Sequence, residues 1–473
     1  MNSKSRQHPL EPTPDEMRAM LDQVANRIVE HITSLGDQPA SYESDGRVVA
    51  QSFSETAPSE GTDFSSLLDR IFDDAVPHSF NTAGPGYLAY IPGGGVFPSA
   101  VADLIANAIN RYVGVWVAAP ALVQLELNVI RWFCEIVGYG ARSGGVLTSG
   151  GSLSNLTAIV AARRERLGDD LGSGVMYTSD QTHHSVRKSA VLAGFAESAV
   201  RQIETNEHQE IRLDHLGAAI AEDHAAGRRP FLIVGSAGTT NTGAVDDLTA
   251  LADLAERERL WLHVDGAYGG FFALTQRGSA AMAGLERADS ITLDPHKGLF
   301  LPYGTGALLV RDEGSLRRAH ATFADYMPTM QHDPDFVDFC DISAELSRDF
   351  RGLRIWLPVK LFGLDAFREA LDEKLDLARW ATDQIREIPE LEIVTEPRLS
   401  LLSFRVRGDH EDEATRALLH AINARQNVYL TGTMVDGRFV VRICVLSFRT
   451  HMDRMEMCVQ DIRAALAEVL ARG

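Results

Sequence analysis

The sequence predicts an α/β protein, in which a large domain built on a mostly parallel sheet is followed by a smaller C-terminal α+β domain. From about residue 144 to residue 310, short apolar segments alternate with amphipathic helical stretches, as they do when helices connect parallel strands. The pattern changes near residue 366, where a long helical stretch leads into further strand-like segments. The chain has 473 residues, 45% of them hydrophobic, which is enough for a large buried core.

The N-terminal part of the chain begins with a predicted helix over residues 13–34. Thr13 supplies a cap, Pro14 lies in the first turn, and two acidic residues follow near the positive end of the helix dipole. Apolar residues then recur at helical spacing as far as Ile32. This helix packs either on its own domain or on a partner subunit, and its pattern leaves both alternatives open. Residues 36–62 are polar and are interpreted as a linker.

The large domain is predicted from six apolar segments of strand length and from helical stretches at 153–167, 213–227 and 247–259. Small, polar or ionisable residues follow five of the strands. Because ligands bind beyond the carboxyl ends of parallel strands, these turns predict one shared site. The predicted strands are GVLT (145–148), VMYT (175–178), FLIVG (231–235), LWLHV (260–264), DSITL (289–293) and GALLV (306–310).

The smaller domain is predicted from the helical stretch 366–387 and the segments LEIVTE, LSLLSFRV and GRFVVRICVL that come after it. We therefore expect three regions. Residues 1–75 form an N-terminal helical segment, residues 76–365 form the large domain, and residues 366–473 form the small domain.

Composition and charge exclude several classes of function. A formal charge of −20 argues against binding nucleic acid or an anionic membrane surface through bulk electrostatics. The four cysteines form no CxxC pair, so neither a metal site nor a disulfide framework is expected, and a reducing compartment is favoured. Since no apolar stretch resembles a secretory signal or is long enough to span a bilayer, we expect a cytoplasmic protein.

Lys297 is the first candidate catalytic residue, because it stands where the apolar segment ITLDPHK ends. A desolvated lysine has a lowered pKa and becomes an amine nucleophile, most often in a Schiff base with pyridoxal phosphate (PLP). Taken alone, such a lysine more often extends to the surface. Its neighbours favour the catalytic interpretation.

Other strand ends carry groups that would suit the same cofactor. Asp265 follows LWLHV and could pair with a pyridinium nitrogen, although a helix cap is the common role of such an aspartate. SGGS (149–152) precedes a helix whose N-terminus could bind phosphate. Of His183 and His184, at most one can face a cofactor, because adjacent side chains of an extended chain point in opposite directions.

The sequence resembles the group II PLP-dependent amino-acid decarboxylases, which include the aromatic-amino-acid, histidine and glutamate decarboxylases. The matching segments run from about residue 80 to residue 365, and Asp265 and Lys297 have the family's spacing. These segments are GYLAYIP (86–92), WVAAPALVQLE (116–126), GVLTSGGSLSN (145–155), SDQTHHSV (179–186), AGTTNTGAVDD (237–247), LHVDGAYGG (262–270), LDPHKGL (293–299) and SRDFRGLRIW (347–356).

The resemblance implies an aspartate-aminotransferase-like PLP fold (fold type I), a homodimer with its active sites at the interface, and roles for individual residues. Lys297 would form the Schiff base, Asp265 would pair with the pyridinium nitrogen, and His183 would stack on the ring. The resemblance further implies that the predicted helix over residues 13–34 packs on the partner subunit. The remaining residues implied to bind the cofactor are Gly151, Ser152, Ser236, Ala267, Asp294 and His296. Those implied to line the substrate pocket are Tyr90 and Pro92, together with Val113, Val115 and Trp116 contributed from the partner subunit.

The family's reaction is decarboxylation of an L-amino acid to an amine and CO2, with a proton returned by a tyrosine on a mobile loop. Tyr326 is the candidate here, although it comes earlier than the family position. A family variant with phenylalanine at that position makes an aldehyde, so an aldehyde synthase or a carbon–carbon lyase remains an alternative, as does a catalytically silent homologue. Asp294 also departs from the asparagine of many relatives, and a carboxylate beside a phosphate is unfavourable.

Overall fold

The structure is a computed structural model that describes residues 8, 10–321, 336–408 and 410–472. In these ranges the strands are β1 Gly144–Thr148, β2 Gly174–Ser179, β3 Val200–Ile203, β4 Arg229–Ser236, β5 Trp261–Gly266, β6 Ser290–Leu293, β7 Gly306–Val310, β8 Leu391–Thr395, β9 Leu401–Val406, β10 Thr431–Val435 and β11 Arg438–Cys444. The helices are α1 Pro14–Ser34, α2 Gly46–Ser52, α3 Phe64–Asp69, α4 Phe97–Ile109, α5 Pro120–Ile136, α6 Gly151–Arg166, α7 His184–Leu192, α8 Leu213–Ala225, α9 Leu248–Glu258, α10 Gln276–Ala281, α11 Pro295–Gly298, α12 Gly314–His320, α13 Arg351–Phe362, α14 Leu364–Arg386, α15 Glu411–Asn423 and α16 Met452–Arg472.

The large sheet has the strand order β1-β7-β6-β5-β4-β2-β3. Its neighbouring strands run parallel, except that β7 is antiparallel to both β1 and β6. The prediction of a mostly parallel α/β sheet is therefore confirmed. Strands β1, β2, β5, β6 and β7 are buried along their whole length, which explains why each reads as a continuous apolar segment rather than as an alternating one.

The small domain is an antiparallel sheet of order β10-β11-β9-β8, packed with α14, α15 and α16. Part of its core comes from far away in sequence. Leu88 is fully buried in that core, its N–H donates to the Tyr429 carbonyl at 3.1 Å, and its carbonyl accepts from the Cys444 N–H at 3.0 Å. Residues near 88 thus reach across from the large domain and form backbone hydrogen bonds with the small one.

The elements that the sequence analysis does not name include two edge strands and a helix in the predicted linker. Strand β3 is not predicted, because it is a short edge strand of which most residues are partly exposed, and such a strand lacks a long apolar run. Strand β10 is likewise an edge strand, and most of its residues are partly exposed. The region interpreted as a linker contains α2, which Asp45 caps by accepting from the Arg47 N–H at 2.9 Å.

Helix α1 has the predicted start, with a complete capping box between Thr13 and Glu16. None of its residues is buried in this chain. Met17, Met20 and Leu21 project apolar side chains that are more than two-fifths exposed. Among the described helices, none is both long enough and apolar enough to cross a membrane.

Candidate active site

The predicted strand-end residues meet in a cavity of about 290 Å³. It lies beyond the carboxyl ends of β4, β5 and β6 and against the N-terminus of α6, where a parallel sheet is expected to bind a ligand. The cavity is lined by Ser149, Gly150, Gly151, Ser152, Leu153, Asn155, His183, Ser185, Ser236, Gly238, Thr239, Thr240, Asp265, Ala267, Tyr268, Asp294, His296 and Lys297.

Lys297 forms an ion pair with a buried carboxylate. Strand β6 ends at Leu293, and the short helix α11 turns Lys297 back over Asp294, so that Nζ lies 2.9 Å from Oδ2. Burial disfavours the ammonium, but attraction to Asp294 outweighs it, and the pKa of Lys297 is raised above its ordinary value. The expectation of a lowered pKa for Lys297 is therefore wrong for the protein without its cofactor, because the Asp294 carboxylate stabilises the protonated amine.

Asp265 lies in β5 next to the strand's last residue, and donors hold both of its oxygens. Its Oδ1 accepts from the Ala267 N–H at 3.1 Å, and its Oδ2 accepts from Asn155 Nδ2 at 3.0 Å. A buried carboxylate with two donors is held in one orientation at little cost. The turn after β5 therefore presents a fixed carboxylate at the edge of the cavity.

The end of the cavity formed by the N-terminus of α6 is suited to an anion. Helix α6 begins at Gly151. The N–H groups of Leu153 and Ser154 donate to the Gly150 carbonyl, whereas those of Gly151 and Ser152 come before the first intrahelical hydrogen bond and can donate to a ligand. Gly150 has a φ of +152°, and a Cβ on Gly306 would come within 2.6 Å of the Gly150 backbone, so these two glycines allow the close approach that shapes the turn. Gly151, Ser152 and His296 all line this end, as predicted from their positions.

His183 lines the cavity, whereas His184 is exposed and does not. His183 caps α7, and its Nδ1 accepts from the Ser185 N–H at 3.3 Å and contacts the Ser185 hydroxyl at 2.8 Å. Burial lowers the pKa of His183, so the neutral ring is favoured. With Nδ1 acting as an acceptor, the proton of the neutral ring lies on Nε2.

Ser236 and Ala267 also lie where the strand-end argument expects them. Ser236 ends β4, and its backbone N–H donates to Asp246 Oδ2 at 2.7 Å. Ala267 follows Asp265 in the turn after β5, and both Ser236 and Ala267 line the cavity. Small side chains at these two positions leave the centre of the cavity open.

The residues implied to bind substrate lie outside this cavity in the single chain. Tyr90 is 54% exposed and has a φ of +50°, an uncommon conformation for a large side chain. Pro92 is buried, and Val113 and Val115 are 0% and 3% exposed, so the two valines present almost no surface to a partner in this arrangement. Trp116 is partly buried, with its ring stacked 3.8 Å from that of Phe336. Tyr326 lies outside the described residues.

The residues at or beside the site that were not predicted include Asn155 and Tyr303. Asn155 is 1% exposed and bridges Asp265 to Ser185, with Nδ2 to Oγ at 3.1 Å. Its position one helical turn after Gly151, on the face toward the sheet, could have indicated it. Tyr303 is 58% exposed, and its ring centroid lies 5.7 Å from that of His296. The sequence around Tyr303, a glycine-containing turn, gave no indication that this tyrosine lies near the site.

The residues of the cavity fit PLP. The aldehyde of PLP requires an amine, and its ring nitrogen requires a carboxylate. An imidazole can lie on the ring face, and a helix N-terminus can bind the phosphate. The cradle at Gly151 is tight, since a Cβ there would lie 3.1 Å from Asp294 Oδ2 and 3.3 Å from the Ala267 Cβ. Asp294 Oδ1 is buried and has no hydrogen-bond partner in the described part of the chain, which indicates a polar site still open to a further group.

Comparisons with known proteins agree with this geometry. The family described as the pyridoxal-dependent decarboxylase conserved domain matches residues 48–407. An aromatic-L-amino-acid decarboxylase of Bacillus atrophaeus is 34% identical over 467 residues, which cover 97% of each chain.

Two solved structures are also similar to this chain. Oryza sativa TDC with PLP and tryptamine superposes with a TM-score of 0.92 at 27% identity, covering 98% of this chain and 99% of that one. Catharanthus roseus tryptophan decarboxylase in complex with L-tryptophan superposes with a TM-score of 0.91 at 28% identity, covering 98% and 100%. Taken with the cavity, these matches show that the chain belongs to the pyridoxal-dependent decarboxylase family and is an enzyme that uses PLP to decarboxylate an amino acid.

Proposed function

We propose that the enzyme decarboxylates an aromatic L-amino acid to its amine, with Lys297 as the residue that binds the cofactor. The observation that carries the substrate class is the relative named as an aromatic-L-amino-acid decarboxylase, which is 34% identical along almost the whole chain. The chemistry of the site supports it. Of the described residues lining the cavity, Lys297 is the one lysine or arginine, so the lining itself offers no second cation to an acidic side chain once that amine is in use.

Exposed aromatic rings near the cavity support the same substrate class. Tyr303 stands next to His296 and close enough to Lys297 for the lysine charge to act on its hydroxyl. Tyr90 is held by the small domain, since its carbonyl accepts from Arg442 Nη2 at 3.5 Å. Aromatic side chains pack favourably on one another in offset or edge-to-face arrangements. We infer that these two tyrosines contact the substrate ring.

The residue roles follow from what each group can do in its place. Bound PLP supplies an aldehyde for the amino group and a ring that accepts the electron pair released when the Cα–carboxylate bond breaks. Lys297 would be the amine that anchors it, once it has lost the proton that its ion pair with Asp294 stabilises. Asp265 would stabilise positive charge on the ring nitrogen, and neutral His183 would lie on the ring face with Nε2–H toward the substrate. Gly151, Ser152 and His296 would hold the phosphate, with Ser236 and Ala267 beside the ring.

We further propose that the active unit is a homodimer. Helix α1 has no residue buried in its own chain although it carries an apolar face, and α4 exposes Leu104 and Ile105. Amphipathic helices normally bury such faces, so a second copy of the chain is the proposed cover. In this arrangement Trp116 and the exposed Tyr112 would contribute to the partner's substrate pocket. Tyr326 remains the proposed proton donor from the loop.

A cytoplasmic location is proposed on the state of the cysteines. All four are free thiols, and Cys134, Cys444 and Cys458 are buried. Proteins of reducing compartments keep thiols in this state. Fractionation of cells that produce the protein would test the location.

The test of the proposed function is turnover of a panel of L-amino acids by the purified holoenzyme. CO2 and amine should form in equal amounts from tryptophan, tyrosine or phenylalanine, and glutamate and histidine should give little. Lys297→Ala should abolish turnover, whereas Lys188→Ala, at an exposed lysine of α7, should not. Peroxide and ammonia in place of the amine would identify an aldehyde synthase. Turnover of acidic amino acids alone would overturn the proposed substrate class.

A further inference from the structure

A row of buried polar side chains lies directly behind the cavity. Trp261 Nε1 donates to Ser290 Oγ at 2.8 Å, and Ser290 Oγ lies 2.8 Å from His263 Nδ1. His263 Nε2 lies 3.0 Å from Asn155 Oδ1, which also accepts from Thr292 Oγ1 at 2.8 Å. All of these residues are at least nine-tenths buried. Water therefore cannot replace a missing partner easily, and the geometry constrains where each proton lies.

The proton positions have one consistent assignment. The indole of Trp261 can only donate, so Ser290 Oγ accepts from it, and this oxygen can still either donate to His263 Nδ1 or accept from it. The tautomer of His263 is therefore decided at its other nitrogen. Burial lowers the pKa of His263 to about 4, so the ring is neutral, and its one hydrogen lies on Nε2. That hydrogen faces Asn155 Oδ1, which is a carbonyl oxygen and can only accept. The opposite tautomer would set two acceptors against each other.

Asn155 divides the chain of hydrogen bonds into two branches. Since its oxygen already accepts from His263 and Thr292, its amide nitrogen must face the cavity side. One hydrogen of Nδ2 goes to Asp265 Oδ2 at 3.0 Å and the other to Ser185 Oγ at 3.1 Å. A flipped amide would set its oxygen against the Asp265 carboxylate, which is unfavourable.

The second branch ends at His183. Ser185 Oγ accepts from Asn155, so its own hydrogen is free to donate to His183 Nδ1, 2.8 Å away. The Ser185 N–H points at the same nitrogen at 3.3 Å. Two donors on Nδ1 exclude a hydrogen there, so the neutral ring carries its hydrogen on Nε2. The orientation of the Asn155 amide, which donates to Asp265, is thus transmitted through Ser185 to the imidazole that lines the cavity.

We propose that Asn155 is a positioning residue that fixes the carboxylate of Asp265 and, through Ser185, the Nε2–H tautomer of His183. The inference rests on the roles proposed above for Asp265 and His183 and adds a role for Asn155. Asn155 touches neither reacting atom in this scheme. It links the Asp265 carboxylate and the His183 imidazole in one hydrogen-bonded network. A change in the hydrogen bonding of one of these groups therefore alters the hydrogen bonding of the other.

The test reads the tautomer directly. Holoenzyme labelled with 15N-histidine would be examined by long-range 1H–15N NMR, with the His183 signals assigned from His183→Gln. Wild-type protein should show a protonated Nε2 and an unprotonated Nδ1 at His183. Ser185→Ala leaves only the longer backbone N–H contact to Nδ1, and Asn155→Leu leaves the Ser185 hydroxyl free to turn and accept from Nδ1. Both variants should therefore give a tautomer mixture and lower kcat about tenfold, with KM changed much less. Ser185→Thr keeps the hydroxyl and should restore both properties.

Ser315→Ala is the matched control, because that serine is as buried as Ser185 and donates to the Asp312 carbonyl in a turn at the start of α12. It should leave the His183 signals and kcat unchanged. A wild-type His183 protonated on Nδ1, or a Ser185→Ala variant with the wild-type tautomer and kcat, would overturn the proposal. The tautomer measurement does not depend on the substrate, so an error in the proposed substrate class would leave this result standing.

Discussion

Lys297 Nζ lies 2.9 Å from Asp294 Oδ2, and this carboxylate is 2% exposed with its second oxygen unpaired among the described residues. The lysine proposed to bind the cofactor is therefore held as an ammonium before the cofactor arrives. Only a neutral amine attacks an aldehyde, so Asp294 sets how readily that form is available.

Asp294→Asn should speed the reaction of the cofactor-free enzyme with PLP near neutral pH. In the native protein burial lowers the pKa of Lys297 and Asp294 raises it, with a net rise. Removing the carboxylate leaves burial as the larger influence, so the lysine pKa falls and more of the amine is neutral at a given pH. The pH midpoint for the rate of PLP binding, followed by stopped-flow absorbance, should move to lower pH. The same asparagine would also remove the repulsion between Asp294 and a phosphate.

The control for this substitution is Asp289→Asn, at a carboxylate paired with Arg311 at the end of β7. It removes one negative charge from the protein without touching the cavity and should leave the midpoint in place. If Asp294→Asn bound PLP more slowly, or with an unchanged midpoint, the carboxylate would not control the lysine.

Tyr303→Ala should weaken the use of aromatic substrates. The ring lies beside His296, which lines the cavity, and the loss of one aromatic contact costs about 1 kcal/mol, or several-fold in kcat/KM. Tyr303→Phe keeps the ring and should behave like wild type. Steady-state kinetics with tryptophan and with an aliphatic amino acid would check this, because the alanine variant should lose selectivity between them. Equal losses for both substrates would contradict a ring contact.

The sequence predicted the parts of the site that follow from strand ends. Lys297, Asp265 and His183 each stand where a buried strand stops, and the topology brings them together whatever the details of packing. The ion pair of Lys297 with Asp294 depends instead on how α11 turns back after β6. No periodicity in the sequence reports such a turn.

The network through Asn155 could not be predicted for a related reason. Asn155 and Asp265 are 110 positions apart, and their hydrogen bond exists only because α6 packs across the sheet. Periodicity in the sequence identifies single helices and strands. A side-chain hydrogen bond between a helix and a strand depends on how the two elements pack against each other. The direction of the pKa shift of Lys297 was mispredicted for the same reason. The neighbouring Asp294, and not burial alone, decides whether this pKa rises or falls.

Glu126 and Arg348 form an ion pair whose side chains are both 0% exposed, with Oε1 2.5 Å from Nη2. Glu126 Oε2 also accepts from the Gly352 N–H at 3.0 Å. Glu126→Gln should destabilise the holoenzyme by about 3 kcal/mol, because it leaves the Arg348 charge buried without a carboxylate. Chemical denaturation followed by fluorescence would measure it.

Arg348→Met combined with Glu126→Gln should recover part of this loss, since the double variant removes both buried charges. Arg131→Met, at an exposed pair with Glu135 on the same helix α5, is the control and should cost less than about 1 kcal/mol. A double variant no more stable than Glu126→Gln would contradict the reasoning from unpaired buried charge.

Leu21→Arg in α1 should convert the proposed homodimer into monomer without unfolding the subunit. Leu21 is 47% exposed in the single chain, and no residue of α1 is buried there, so the substitution removes no contact from the subunit core. In a dimer it would place a charge within an apolar interface, which costs far more than at a surface. Sedimentation velocity should show half the native mass, and circular dichroism should be unchanged. Asp22→Ala, at a polar residue next in sequence on the same helix, should remain dimeric. If Leu21→Arg stayed dimeric with full activity, α1 would lie outside the interface, and its apolar face would need another partner.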